Sequence, residues 1–316
     1  MSLTRRSLLL GTLLGVTACA AGRPPAPAAA TGWRFADDRG RKISLAARPA
    51  RVVAQVSAAA ALWDFGVRPI AVFGPHKLAD GAKDPEAGDI DVTKVASVGN
   101  VWDEFNVEQY IGLRPELLVA GMYQGDELWY VPAKSAATIE KVAPTLGIRQ
   151  QGKAGDELIR RYEELAVALG GAGDPALKAR FEAAASRVRP GPRVLFCGAS
   201  PEQFWVCNPA SFPDQKYLRS LGLDIVVPEK PDQTGYYETL SWENIDKYAA
   251  DAIFVDARAQ SMKLAEIARK PTWSELPAVK AGHVYPWRAE MRFSCQGYTT
   301  LLDELSENLA KVAPRS

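Results

Sequence analysis

The same short pattern occurs twice in this chain, at matching places in two halves. Asn106-Val107-Glu108 opens a helix-forming stretch, and eight residues after the glutamate Glu116 precedes the apolar run LLVAG. Ser241-Trp242-Glu243 opens another, and eight residues after that glutamate Asp251 precedes AIFVD. Asn106 and Ser241 are good N-caps, so each glutamate is expected in a first helical turn, facing the positive end of the helix dipole. One such carboxylate only steadies a helix start; its matched recurrence points to a further use. Around these motifs short β-branched runs alternate with helix-period segments, which predicts an α/β architecture. The expected strands are Arg51–Gln55, Ile70–Phe73, Leu117–Ala120, Arg193–Phe196, Phe204–Val206, Ile225–Val227, Ala252–Val255 and His283–Tyr285. Ala58–Phe65, Thr138–Ala143 and Asp156–Leu169 read as helices. Asp174-Pro175 reads as an N-cap with proline at the first helical position. The segment that follows, Ala176–Val188, predicts a helix of ~20 Å between the halves.

The N-terminus predicts where the chain goes. Arg5-Arg6 precede an apolar run from Leu8 to Val16, too short for a bilayer, which needs ~20 residues. This reads as an export signal of the twin-arginine type over residues 1–18. Val16-Thr17-Ala18-Cys19 has the form of a lipobox, which makes Cys19 the expected lipidation site. Two acyl chains there would anchor the protein stably on the extracytoplasmic face of the cell membrane. An ordinary cleaved signal is the alternative. Residues 19–32, rich in Ala and Pro, read as a tether. No later run is long and apolar enough to cross a membrane.

The chain is 47% hydrophobic with a net charge of +1, so it is expected to be globular and without an electrostatic footprint for nucleic acid. Cys197, Cys207 and Cys295 leave at most one intramolecular bridge and one free thiol, and the sequence does not choose the pair. His76 and His283 are not at ligand spacing, so no protein-built metal site is expected. No G-x-S-x-G, no G-x-G-x-x-G after a strand and no C-x-x-C occurs, which leaves an envelope hydrolase or oxidoreductase little support. No catalytic residues are expected.

The ordered landmarks RPARVVAQVSAAAALWDFGVRPIAVFG, SVGNVWDEFNVEQYIGLRPELLVAG, KVAPTLGI, YYETLSWENIDKYAADAIFVDA and PTWSELPAVKAGHVYPW resemble those of class III substrate-binding proteins of ABC importers. That group carries iron–siderophore complexes, haem and cobalamin. The resemblance implies two α/β lobes, each with a mainly parallel sheet, joined by one long helix, with the ligand in the cleft between them and little closure on binding. The boundaries expected are 33–172 for the first lobe, 173–189 for the linking helix and 190–316 for the second. It also implies that Glu108 and Glu243 dock into arginine pockets of an ABC permease, that the binder is a monomer and that it is no enzyme.

Aromatic residues after the strands are the candidate cleft lining: Trp102, Tyr123, Trp129 and Tyr130 in the first half, and Tyr236, Tyr237, Trp287 and Tyr298 in the second, whereas Trp205, inside a strand pattern, reads rather as core. By resemblance, positions near Trp102, Tyr123, Tyr236, Arg288 and Phe293 line the pocket. Arg288 and Arg292 are the clear cationic candidates, with His76-Lys77 and Arg258 behind them; Trp273 reads as core. Polyanionic ferric catecholates or citrate need several converging cations. Neutral ferric tris-hydroxamates suit Tyr and Trp faces with one orienting arginine. A ferric hydroxamate such as a ferrioxamine is therefore the expected ligand, its iron already chelated and no cofactor required. A catecholate, haem (with Tyr123 or Met291 as axial candidates) and cobalamin are the alternatives, and a sensor or scaffold role is a third class.

Overall fold

A computed structural model describes residues 32–258 and 261–312. The signal segment, Cys19 and the tether up to residue 31 lie outside the described residues.

The chain enters through a hairpin, β1 (Trp33–Ala36) against β2 (Lys42–Leu45). The Asp37 carboxylate accepts from the Arg39 and Arg41 amides and holds its turn. The first sheet then forms from β3 (Val52–Gln55), β4 (Ala71–Phe73), β5 (Ala96–Ser97), β6 (Leu117–Met122) and β7 (Thr145–Arg149). Its order is β5-β4-β3-β6-β7 and every pairing is parallel. The strands are near-continuous apolar runs because both faces are covered. Helices α1 (Val56–Asp64), α2 (Val107–Gly112), α3 (Ala133–Val142) and α4 (Gly155–Ala168) supply that cover.

Helix α5 (Pro175–Ala185) follows, with the Asp174 side chain accepting from the Ala176 amide at 2.8 Å. It is 11 residues long, or about 16 Å, and stops short of the expected Val188. The second sheet contains β8 (Val194–Ala199), β9 (Phe204–Cys207), β10 (Tyr237–Leu240), β11 (Ala252–Asp256) and β12 (Val284–Trp287), in the order β10-β9-β8-β11-β12. Here β8, β11 and β12 are parallel and β9 runs against its neighbours. Helices α6 (Pro213–Ser220), α7 (Leu264–Ile267), α8 (Pro271–Glu275), α9 (Pro277–Lys280) and α10 (Cys295–Leu309) complete this half.

Several expectations need correction. Ile225 makes one isolated parallel bridge to Val194 rather than a strand. Glu108 does sit in the first turn of an α-helix, whose Asn106 cap accepts from the Gln109 amide. Glu243 instead lies in a 3₁₀ stretch, Trp242–Lys247, broken at Asn244, and Ser241 makes no side-chain cap there. Both glutamates are exposed. Cys197, Cys207 and Cys295 are buried and unpaired. Cys197 stands opposite Val206 in the β8–β9 register, so the adjacent Cys207 points to the other face of the sheet.

The two halves meet along a broad seam. The Tyr162 and Phe293 rings stack at 5.8 Å, and Tyr298 is wholly buried beside Phe181 and Tyr217. Gly155 is required here, since a Cβ would fall 2.2 Å from the Tyr298 ring. Arg292 pairs with Asp64 at 3.2 Å and Asp89 at 2.9 Å, and Ser294 Oγ donates to Asp64 at 2.5 Å. Buried Asp214, at the start of α6, accepts from Trp287 Nε1 at 2.6 Å.

Burial pushes the Asp214 carboxyl up to about 6, with the Trp287 bond opposing. The folded protein therefore holds a proton that the unfolded chain releases from about pH 4 upward, and this contribution to stability is lost as pH rises through 6. The loss amounts to roughly 3 kcal/mol. Asp214→Asn keeps an acceptor for Trp287 and removes that dependence. Chemical denaturation from pH 4 to 7 should show the variant gaining on the parent by that amount, and parallel curves would exclude the assignment.

Candidate functional site

In each sheet the strand order reverses once, between β3 and β6 in the first and between β8 and β11 in the second. Crevices at such reversals, beyond the carboxyl ends of the strands, are where open α/β sheets hold ligands. The loops there carry polar residues that end otherwise apolar strands. Gln55 ends β3 fully buried, and Asp256 ends β11 at 5% exposure.

These two residues anchor a polar cluster that crosses from one half to the other. Gln55 Nε2 donates to Glu86 Oε1 at 3.2 Å, while Gln55 Oε1 accepts from Ser57 Oγ at 2.7 Å. Glu86 lies within hydrogen-bonding reach of Glu290, from the loop after β12. Arg258 donates through NH1 to Glu290 Oε1 at 2.5 Å. It also donates through Nε and NH2 to Asp256, at 3.0 and 2.8 Å. Ser261 Oγ adds a 2.5 Å bond to Asp256, and the Tyr237 hydroxyl lies beside the guanidinium. Burial works against the Arg258 charge, but Glu290 and Asp256 more than compensate and hold it ionised. Burial and the facing Glu290 charge push the Glu86 carboxyl well up, which favours its protonated form beside Glu290.

An aromatic wall rises above this floor. Trp102 packs edge-on to Trp129 at 4.6 Å and to Tyr130 at 5.1 Å, and Trp129 lies 4.9 Å from Tyr123. Tyr236 reaches across and donates to the Tyr123 carbonyl at 2.7 Å. Trp102 remains 55% exposed, although an indole of that size is normally covered. Tyr130 holds φ at +61°, a left-handed conformation that costs a bulky residue energy and concentrates at ligand clamps. The Tyr123 hydroxyl, Trp129 Nε1 and Glu290 Oε2 are buried without a hydrogen-bond partner. Each such group costs about 1–3 kcal/mol when left unpaired, and an oxygen- or nitrogen-bearing guest could pair with these three.

The structure thus brings together Trp102, Tyr123, Trp129, Tyr130, Tyr236 and Tyr237. Trp205, half-buried, lies 6.3 Å from Tyr237. Trp287 is wedged in the core against Phe196 and Phe212, and Phe293 and Tyr298 are core residues of the seam rather than pocket lining. Arg292 is neutralised by its two aspartates. Arg288 is exposed and lines a neighbouring pocket of about 440 Å³. His76 is buried with its ring against the Gly74 carbonyl, and Trp273 is core at 2% exposure. Sequence reasoning ranked Arg258 below the two arginines that follow β12 and missed Gln55, Glu86 and Glu290. The signal available was the buried polar residue closing VVAQ and AIFVD. Among the described residues no group of three His, Cys, Asp or Glu side chains is placed to hold a metal ion.

Comparisons with known proteins agree with this architecture. The profile of the periplasmic binding protein family matches residues 53–291. The structure superposes on DesE, a ferric-siderophore receptor protein from Streptomyces coelicolor, with a TM-score of 0.83 and 39% identity, over 89% of this chain and 100% of that one. The Fe(3+)-citrate-binding protein YfmC of Bacillus subtilis is 25% identical over 259 residues, 80% of this chain and 77% of its own. The iron(3+)-hydroxamate-binding protein YxeB of the same organism is 25% identical over 213 residues, 61% of each. With the family profile spanning most of the chain and a crevice built at the strand ends, this is a binding protein and not an enzyme: it belongs to the periplasmic binding protein family.

Proposed function

We propose that the protein binds a ferric siderophore outside the cytoplasm, most specifically a ferric hydroxamate, and delivers it to the permease of an ABC importer. The observation that carries the choice of ligand is the charge balance of the cleft. Arg258, the cation tied into the cluster among the described residues, is already met by Asp256 and Glu290, so a polyanionic catecholate or citrate complex finds no free counter-charge there. Tyr and Trp faces suit the methylene linkers of a hydroxamate, and the unpartnered Tyr123 hydroxyl and Trp129 N–H can donate to its oxygens. Iron would arrive fully chelated, so the protein needs no metal ligands or cofactor. The description of DesE supports a ferric siderophore and that of YxeB a hydroxamate; YfmC favours ferric citrate as the second reading.

Among the described residues no helix is long and apolar enough to cross a membrane. Diacylation at Cys19 would supply the anchor, and a monomer would present one carboxylate per half, Glu108 and Glu243, to permease arginines.

Intrinsic tryptophan fluorescence should be quenched by ferrioxamine at submicromolar concentration. Trp102→Ala and Arg258→Gln should each weaken that binding about tenfold or more. Tight binding of ferric citrate or a ferric tris-catecholate instead would overturn the hydroxamate assignment. For delivery, replacing Glu108 and Glu243 together by alanine should abolish uptake by cells while leaving affinity intact. A parallel loss of affinity would place these residues in the binding site or the fold, and not in docking.

A further inference from the structure

The Glu86–Glu290 pair belongs to two spaces at once. On one side stand the cleft aromatics, and the hydroxyls of Tyr123, Tyr130 and Tyr236 all feel the Glu290 charge. On the other, both carboxyls line the pocket of about 440 Å³ between β12 and α10. That pocket has apolar walls, among them Phe254, Pro286, Met291 and Leu301. Its lining is richer in acidic than in basic residues. Glu86, Glu290 and the exposed Glu304 and Glu307 stand with Arg288 and Arg292, Lys83 is held on the Gly88 carbonyl at 2.7 Å, and Arg292 is spent on Asp64 and Asp89. Asp84, near Glu86 on its own turn, adds another carboxylate, whereas Arg258 is spent on Asp256 and Glu290. Glu290 Oε2 is buried and accepts from no N–H donor.

We propose that this acid-floored pocket takes a protonated primary amine on an aliphatic arm of the ligand, with Glu86 and Glu290 as its counter-ions and the determinants of specificity. The proposal rests on the hydroxamate reading above and adds a positive charge to it. An ammonium carries three donors and no acceptor. It would satisfy Glu290 Oε2 and Glu86 together and would displace the proton held on Glu86, which leaves to solvent. The methylenes of the arm would lie against the apolar walls, and the cleft tyrosines would face the cation.

The test compares ferrioxamine B, a linear tris-hydroxamate complex ending in a free amine, with its N-acetylated form, which lacks the charge. Calorimetry at pH 7 should show the parent protein binding the amine form about tenfold more tightly. Titrations in buffers of different ionisation enthalpy should show about one proton released per amine ligand and none for the acetylated one. In Glu86→Gln/Glu290→Gln the affinity ratio should fall to about one. Equal binding of the two complexes by the parent protein, or a preference surviving the double substitution, would overturn the proposal and leave the hydroxamate reading standing. If neither complex binds, the hydroxamate reading fails and the proposal falls with it.

Discussion

The charge-assisted contact between Arg258 and Glu290 is the constraint on which the geometry of the crevice depends. A guanidinium at 15% side-chain exposure must be compensated on every side that water no longer reaches. Asp256 does this from the strand end, and Glu290 does it from the loop after β12. Glu290 is in turn tied to Glu86, and Glu86 to Gln55 at the end of β3. Four segments from both sheets are thus fixed by one line of polar contacts. Removing one partner of such a buried pair typically costs about 3–5 kcal/mol, because a charge is left uncompensated. The same contact explains why the crevice is not electropositive despite the arginines around it.

The fold was legible where burial writes it plainly. VVAQ, LLVAG, VLFCGA and AIFVD are apolar on both faces because helices cover both faces of the sheets, and such runs announce themselves. The edges were not legible in the same way. Strand β10, YETL, alternates between covered and open positions, and the hairpin at Trp33–Leu45 is short and charged. Helix α10 was hidden because the aromatic residues near its start invite a reading as pocket lining. Tyr298 is instead the ring on which Gly155, Phe181 and Tyr217 close.

At the site, the exposed aromatic wall was visible in the sequence and the acid floor was not. Trp102, Trp129 and Tyr130 follow strands in aromatic clusters that a core would not place in loops. Glu86 and Glu290, by contrast, look like any solvated glutamates in the sequence, yet they are 8% and 4% exposed in the fold. Arg292 and Arg258 are equally arginine-like in sequence. The difference is that Asp64 and Asp89 meet the first across the seam, whereas Asp256 turns the second toward Glu290. The matched glutamates were found, but their local structures differ: Glu108 starts an α-helix and Glu243 a kinked 3₁₀ turn. What the halves share there is an exposed carboxylate, not an element.

Hydrogen–deuterium exchange with and without ferrioxamine tests the location of the site most directly. The account predicts that the ligand slows exchange in the segments 121–131 and 284–290, one from each half, together with the loop that carries Trp102. Protection confined instead to the groove beneath the second sheet, where Glu243, Asp246 and Glu275 line a pocket of about 510 Å³, would contradict it.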